Sequence, residues 1–291
     1  FDSFINWKID LNDSKKNLCP KIFGRSFQNL ENKESPNWLK KRLLAVDQRP
    51  ITSLVDITNY IMIDLGRPLH AYDVDKIEGN ELIVRQSKNG EDFVALNGTT
   101  YKLDEDMLVI CDKHGVDDLA GIMGGERTGV TEKTTKMFLE AAIFDPISIA
   151  KTGRKLNLHS EARYRFERGL DYDLPELVMH YAAGLVQKIC GGRFSKIVNF
   201  QLERENKHIK FNPDITYKLT GVNVENKFSE TILNKLGFTI NYIDSIWDVV
   251  VPSWRSDIDG VADIVEEIIR INGYSSIPVS YTHLTLPTML M

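Results

Sequence analysis

Residues 54–73 read LVDITNYIMIDLGRPLHAYD, and this stretch sets the fold expected for the first half of the chain. Four of its apolar residues recur three or four positions apart: Leu54, Ile57, Ile61 and Leu65. This spacing predicts a helix with one buried side, and Gly66 predicts its C-terminal cap. The polar residues Thr58 and Asn59 lie within this helix, and His70 lies just beyond it.

Strand signals and helix signals alternate on both sides of this stretch. Ser35 is expected to cap a helix with Pro36 at its first position, and Asn97-Gly98 predicts a hairpin turn. The clearest remaining elements are strands at 107–111 and 137–142 and a long amphipathic helix at 174–190. Residues 1–34 are polar and only weakly patterned.

A smaller unit follows a polar link near residues 203–208. Its expected elements are a strand, a helix at 229–236, strands at 238–242 and 247–251, and a helix at 259–271. This order of elements predicts an α+β fold, in which a mixed-sheet domain precedes a smaller, winged-helix-like α/β domain. The expected segments are a leading segment at 1–45, the larger domain at 46–202, the smaller domain at 208–279 and a non-native tail at 280–291.

The composition excludes several classes of protein. With 42% hydrophobic and 26% charged residues, the chain resembles ordinary globular proteins. No stretch approaches the roughly 20 apolar residues that a membrane span needs. Cys19, Cys111 and Cys190 are far apart, which disfavours a zinc site or a disulfide framework and fits the cytoplasm. A net charge of −5 disfavours a protein that coats nucleic acid by charge alone, so any RNA contact must be local.

Polar residues gather near predicted turns and helix ends in the first half of the chain. The set comprises Arg49, Thr58, Asn59, His70, Glu140 and Ser160. Taken singly, each has a structural explanation, such as exposure on a helix or a hydrogen-bonded histidine. Gly121, Gly124 and Gly125 do not follow the strand–GxGxxG–helix order, so a dinucleotide site is disfavoured.

Six sequence blocks, occurring in one order, resemble the editing module of the phenylalanine–tRNA synthetase beta subunit. They are Arg49-Pro50, 55–60, 66–73, 120–125, 139–141 and 165–169. The resemblance implies hydrolysis of tyrosine wrongly attached to the tRNA for phenylalanine. Such editing is needed because a pocket built for phenylalanine cannot strongly reject an added hydroxyl.

The resemblance also implies roles for individual residues. Glu140 would accept the tyrosine hydroxyl, and Gly124 and Ala162 would line the pocket. The residues implied to hold the terminal adenosine, the ester and the attacking water are Arg49, Thr58, Asn59, His70 and Ser160. His70 is the natural candidate base because an ordinary histidine titrates near neutral pH. Ser160 and Glu161 replace the family's usual threonine and aspartate, which keeps the chemical type.

Four carboxylates lie at the start of the last predicted helix: Asp257, Asp263, Glu266 and Glu267. Acidic side chains favour the positive end of a helix dipole, which is one explanation. The other is a hard-cation site, because carboxylate oxygens suit Mg²⁺. The segment 252–257, together with Gly273-Tyr274, resembles the magnesium-binding module of the same beta subunit, and all four carboxylates match its ligand positions.

The resemblance therefore implies an internal fragment of a beta subunit that assembles with an alpha subunit as two alpha and two beta chains. That complex would use ATP and magnesium to attach phenylalanine, bound at the alpha-subunit site, to its tRNA. Five basic residues could contact tRNA phosphates or pair with nearby acids: Arg154, Lys155, Arg163, Arg165 and Arg168. Two other classes stay open, namely a freestanding deacylase acting in trans and a non-enzymatic RNA- or partner-binding module.

Overall fold

A computed structural model describes residues 1–243 and 245–278, and the tail expected at 280–291 lies outside them. The chain divides into a first unit, Phe1–Glu203, and a second unit that begins at Arg204. All three cysteines are buried and free. Among the described residues, no helix is both long enough and apolar enough to cross a membrane.

The first unit contains strands and helices in alternation. Its strands are β1 (Asn6–Asp10), β2 (Lys21–Gln28), β3 (His70–Asp73), β4 (Glu81–Gln86), β5 (Glu91–Val94), β6 (Thr100–Leu103), β7 (Leu108–Cys111), β8 (Val116–Leu119), β9 (Met123–Gly124), β10 (Met137–Ile143) and β11 (Arg193–Gln201). Its helices are α1 (Asn37–Leu44), α2 (Ser53–Asp64), α3 (Pro146–Lys155), α4 (Glu161–Phe166) and α5 (Leu174–Cys190).

Two main sheets form this unit. One has the order β1-β4-β7-β8-β9, in which β1 and β4 are parallel and the other pairs are antiparallel. The other is antiparallel, in the order β11-β2-β10-β3. Strands β5 and β6 form the hairpin predicted around Asn97-Gly98. The predicted α+β class with a mixed sheet is therefore confirmed.

The antiparallel sheet separates two apolar cores because successive side chains of a strand point to opposite faces. Along β10, Met137, Leu139 and Ala141 pack with helices α2 and α5. Phe138 and Ala142 face the other core, which includes residues of the mixed sheet. Glu140 shares this second face by alternation.

The N-terminal segment is more ordered than its sequence indicated. Strand β2 pairs with both β10 and β11, yet no strand was recognised before residue 35. Helix α1 begins at Asn37, and Pro36 occupies the cap position. The predicted cap at Ser35 is wrong because the Ser35 hydroxyl instead donates to Asp56 Oδ2 at 2.6 Å.

In residues 204–243 and 245–278, the second unit forms one antiparallel sheet and three α-helices. They are β12 (His208–Phe211), α6 (Asp214–Thr220), α7 (Asn226–Lys235), β13 (Thr239–Ile243), β14 (Ile246–Val250) and α8 (Val261–Asn272), with strand order β12-β14-β13. Ile264 and Ile268 of α8 are buried with Phe211 and Val249, as the apolar stripe of the last helix predicted. The winged-helix likeness stays a prediction.

Candidate active site

A cavity of about 90 Å³ lies in the first unit, between strands β3, β8, β9 and β10 and helix α4. It is lined by Pro68, Leu69, His70, Asp118, Gly121, Ile122, Met123, Gly124, Glu140, Phe144, Ala162 and Phe166. Four residues expected in the site from the sequence thus meet at one cavity: His70, Gly124, Glu140 and Ala162. Most of the remaining wall is apolar.

Glu140 places a buried carboxylate in the cavity wall. It lies opposite His70 in the register between β10 and β3, so the two side chains share one face of the sheet. The carboxylate accepts no hydrogen bond from any residue that the structure describes. Burial raises the pKa of Glu140 to about 8, although the positive charge of Arg67 lowers it. At neutral pH this group is therefore mostly protonated, and it becomes a charged acceptor without a donor as the pH rises through about 8.

Asp118 is a second buried carboxyl group in the same wall. The Tyr72 hydroxyl donates a hydrogen bond to Asp118 Oδ2 at 3.2 Å. Burial and the charge of Glu140 hold the pKa of Asp118 well above its usual range. Burial and the nearby Glu140 therefore both favour the protonated form of Asp118.

His70 is held between Tyr72 and the backbone of β9. Its ring meets the Tyr72 ring edge-on, with 4.4 Å between centroids. Its Nε2 is buried without a hydrogen-bond partner and lies 3.8 Å from Asp118 Oδ2. Burial lowers the pKa of His70 to about 4, so the imidazole is neutral at pH 7. His70 is therefore a weaker base than an ordinary histidine.

Gly124 has no side chain, and the His70 ring occupies the space that a side chain there would fill. A Cβ added at Gly124 would stand 2.9 Å from His70 Nε2 and closer still to Cε1. Real Cβ atoms essentially never approach other heavy atoms that closely. Only glycine at this position allows His70 its observed place.

Ser160 supports the cavity from outside its lining. As the N-cap of α4, its Oγ accepts a hydrogen bond from the Arg163 amide at 3.0 Å. The same hydroxyl donates to the Ile122 carbonyl at 2.6 Å. Ser160 thus ties α4, which carries Ala162 and Phe166, to the glycine-rich segment of the opposite wall.

The other three expected site residues do not line the cavity among the described residues. Arg49 is exposed in the segment before α2. Thr58 and Asn59 are partly buried on α2, and the Thr58 hydroxyl donates to the Val55 carbonyl at 2.7 Å. Their expected contacts with a terminal adenosine stay predictions.

Three buried polar residues at this site were not singled out from the sequence: Arg67, Tyr72 and Asp118. Each belongs to a strand or turn whose polar residues usually face solvent, and no local pattern distinguishes a buried aspartate from an exposed one. Only the strand pairing of β3 with β10 and of β7 with β8 brings them together.

Four of the five basic residues considered for tRNA contact pair with acids. The pairs are Lys155–Asp104 at 2.6 Å, Arg163–Glu167 at 3.1 Å, Arg165–Glu161 at 2.6 Å and Arg168–Glu167 at 2.9 Å. Arg163 is buried and also donates to the Leu158 carbonyl, which gives this residue a structural role.

Three of the four carboxylates near α8, Asp257, Asp263 and Glu267, accept hydrogen bonds from protein groups. Arg255 donates two hydrogen bonds to Asp257, at 2.6 and 2.8 Å. Asp263 accepts from the amides of Asp259 and Gly260, which makes it part of the start of α8. Among the described residues no group of three or more potential ligands could hold a metal ion. Asp257 and Asp263 are thus engaged by protein groups, and the magnesium role that the resemblance implies for this set stays a prediction.

Glu267 is the buried member of this set. It accepts from Arg255 at 3.0 Å and from Arg270 at 2.5 Å, whereas neighbouring Glu266 is exposed and has no such partner. We expect Glu267→Ala to lower the free energy of unfolding of the second unit by about 1–3 kcal/mol, because two charged hydrogen bonds are lost. Urea denaturation with hydrogen exchange of the α8 amides measures this. Glu266→Ala is the matched control, and an equal effect of both substitutions would refute the bridging role.

Comparison with known proteins gives the chain a family. The family model described as "B3/4 domain" matches residues 18–191, and the "tRNA synthetase B5 domain" model matches 209–274. The chain is 45% identical, over 96% of its length, to the phenylalanine–tRNA ligase beta subunit of Paramagnetospirillum magneticum, and 47% identical, over 90% of its length, to that of Rhodopseudomonas palustris. It covers 35% and 33% of those two relatives, about a third of their length. The chain belongs to the phenylalanine–tRNA ligase beta-subunit family of aminoacyl-tRNA synthetases.

Proposed function

We propose that the cavity around Glu140 is an editing pocket, which hydrolyses tyrosine from the tRNA for phenylalanine. The observation that carries the proposal is the Glu140 carboxylate, which is buried in the cavity wall without a hydrogen-bond donor. An unsatisfied buried carboxylate is costly, and a phenolic hydroxyl would supply the missing donor. Phenylalanine has no such hydroxyl and would leave the carboxylate unpaired.

The remaining wall suits an aromatic side chain. Ile122, Phe144 and Phe166 supply apolar surface for the ring. A cavity of about 90 Å³ is too small to enclose a whole aminoacylated nucleoside, so we propose that only the amino-acid side chain enters it. The ester and the terminal ribose would therefore lie at the mouth of the cavity.

Among the residues lining the cavity, His70 has the side chain that best suits a role in ester hydrolysis. In ester hydrolysis the water oxygen bonds to the acyl carbon, the acyl–oxygen bond breaks, and the ribose oxygen takes up a proton. A neutral imidazole with a free Nε2 can accept a hydrogen bond from the water or from a ribose hydroxyl. Because its pKa is lowered to about 4, we assign His70 to orienting the water, with little proton removal in the ground state.

The complete protein would act beyond this fragment. We infer a beta subunit that assembles with an alpha subunit in the cytoplasm, as two alpha and two beta chains. That complex would attach phenylalanine to its tRNA with ATP and magnesium at the alpha-subunit site. The relatives named as beta subunits, of which this chain spans about a third, support the inference.

Stable substrate analogues test the pocket without a full-length complex. One analogue is adenosine that carries tyrosine through a 3′-amide, which replaces the hydrolysable ester. The second carries phenylalanine in the same way and differs only by lacking the hydroxyl. We expect this chain to bind the tyrosine analogue at least about tenfold more tightly at pH 8.5, because the charged acceptor gains its donor. Isothermal titration calorimetry measures both affinities. Equal affinities would overturn the proposal that the pocket recognises the tyrosine hydroxyl.

A further inference from the structure

Arg67 is a fully buried arginine with an unusual lack of partners. It is 0% exposed, and its Nε, Nη1 and Nη2 have no hydrogen-bond partner among the residues that the structure describes. Its guanidinium carbon lies 5.7 Å from the centre of the Phe166 ring, and that ring lines the cavity. A single cation–π contact returns far less than the burial of an unpaired charge costs. The packing around Arg67 therefore does not by itself explain this residue.

The backbone fixes Arg67 beside the cavity. Gly66, with φ of +65°, follows the end of α2, and Pro68 comes directly after Arg67. Pro68, Leu69 and His70 then line the cavity. Arg67 thus stands immediately behind the wall that carries His70, and His70 lies opposite Glu140 in the sheet register.

Charge balance links Arg67 to Glu140. The two groups attract one another, and Asp171 is the other acid that acts on Arg67. Other titratable groups near Glu140 among the described residues are Cys19, His70, Tyr72 and Asp118. His70 is neutral at pH 7, and Arg67 is the positively charged group that favours the ionised form of Glu140.

We propose that Arg67 is a positioning residue for hydroxyl recognition, whose buried charge behind Phe166 favours the ionised form of Glu140 as the acceptor for the phenolic hydroxyl. This inference rests on the proposed editing function. It adds a specificity-determining residue that does not line the cavity. Removing the positive charge should make Glu140 hold its proton to higher pH, because an adjacent cation favours the ionised carboxylate.

The test is the pH dependence of the ratio of kcat/KM for tyrosyl-tRNA to kcat/KM for phenylalanyl-tRNA, measured by deacylation. The sequence is restored to a full-length subunit in complex with its alpha subunit. In the native protein the ratio should rise as pH increases through about 8, where Glu140 ionises. In Arg67→Met the midpoint should move up by at least about one pH unit, and Arg67→Lys should restore it. A lower ratio with an unchanged midpoint, or no change, overturns the proposal.

A matched control tests whether the midpoint shift needs the charge near Glu140 or follows from replacing any buried arginine. Arg25 on β2 is also buried, has two nitrogens without partners and packs on Phe194, away from the cavity. Arg25→Met should leave the midpoint unchanged. The same midpoint shift in Arg25→Met as in Arg67→Met would overturn the proposal.

Two further measurements keep the outcomes distinct. If Glu140→Gln leaves the ratio and its pH dependence at native values, the proposed function itself fails. If Glu140→Gln abolishes the pH dependence but Arg67→Met does not move the midpoint, only the role of Arg67 fails. Should Arg67→Met not fold, carbon-13 NMR of the native chain decides: Glu140 should ionise at lower pH than Asp118, and the reverse order overturns the proposal.

Discussion

Replacing Glu140 by alanine should lower the ratio of tyrosyl- to phenylalanyl-tRNA hydrolysis about 10–100-fold, because one buried hydrogen bond to a charged group is lost. The loss should fall on the tyrosine substrate alone, since phenylalanine offers no hydroxyl to Glu140. Deacylation of both substrates at pH 8.5, in the complex of full-length subunit and alpha subunit, gives the ratio. The pH lies above the pKa of about 8, so the native Glu140 is mostly ionised.

Glu140→Gln is the shape-matched control for this experiment. It keeps the size and an oxygen acceptor but removes the charge, so an intermediate loss of about tenfold is expected. Attachment of phenylalanine by the same complex should stay at the native rate, which shows that the subunit is folded. Native discrimination in both variants would contradict the role of Glu140.

Gly124→Ala should reduce tyrosyl-tRNA deacylation by about 100-fold or more, because displacement of a group by an ångström commonly costs that much. The added methyl group cannot coexist with the present His70 ring, and Tyr72 closes one side of that ring. The methyl group also takes volume from the cavity. Single-turnover deacylation, with enzyme in excess over tyrosyl-tRNA, measures the effect on the chemical step.

Gly115→Ala provides the control for a glycine substitution. Gly115 lies between β7 and β8 and has no heavy atom within 4 Å of an added Cβ. Its variant should deacylate at the native rate. A crystal structure of Gly124→Ala should show His70 displaced; native activity with His70 in its present place would rule out the steric argument.

Much of the fold could be predicted from local patterns. Helix α5 occupies the predicted residues because its apolar spacing is regular over five turns. Strand β2 was missed because it is buried on both faces and therefore lacks alternation, and because it contains Lys21 and Arg25, which usually face water. Arg25 is buried there against Phe194, a contact made only when β11 pairs with β2.

The candidate site was less accessible to sequence reasoning. Glu140, Gly124 and Ala162 were singled out through family resemblance, since nothing in their local pattern distinguishes them. Asp118 and Arg67 are ionisable residues in the interior, which local propensity disfavours; strand pairing buries Asp118, and the turn after α2 positions Arg67. For the acidic set near α8, spacing left a cation site and a helix-dipole role both open, and it did not reveal that Arg255 engages Asp257 and Glu267.

The most direct test of the editing pocket is the native discrimination between two aminoacyl-tRNAs that differ by one hydroxyl. The sequence, restored to a full-length subunit with its alpha subunit, is assayed at pH 8.5 with tyrosyl-tRNA and phenylalanyl-tRNA. A pocket that reads the hydroxyl through Glu140 predicts a kcat/KM ratio of at least about 100 in favour of tyrosine. A ratio near one would contradict it.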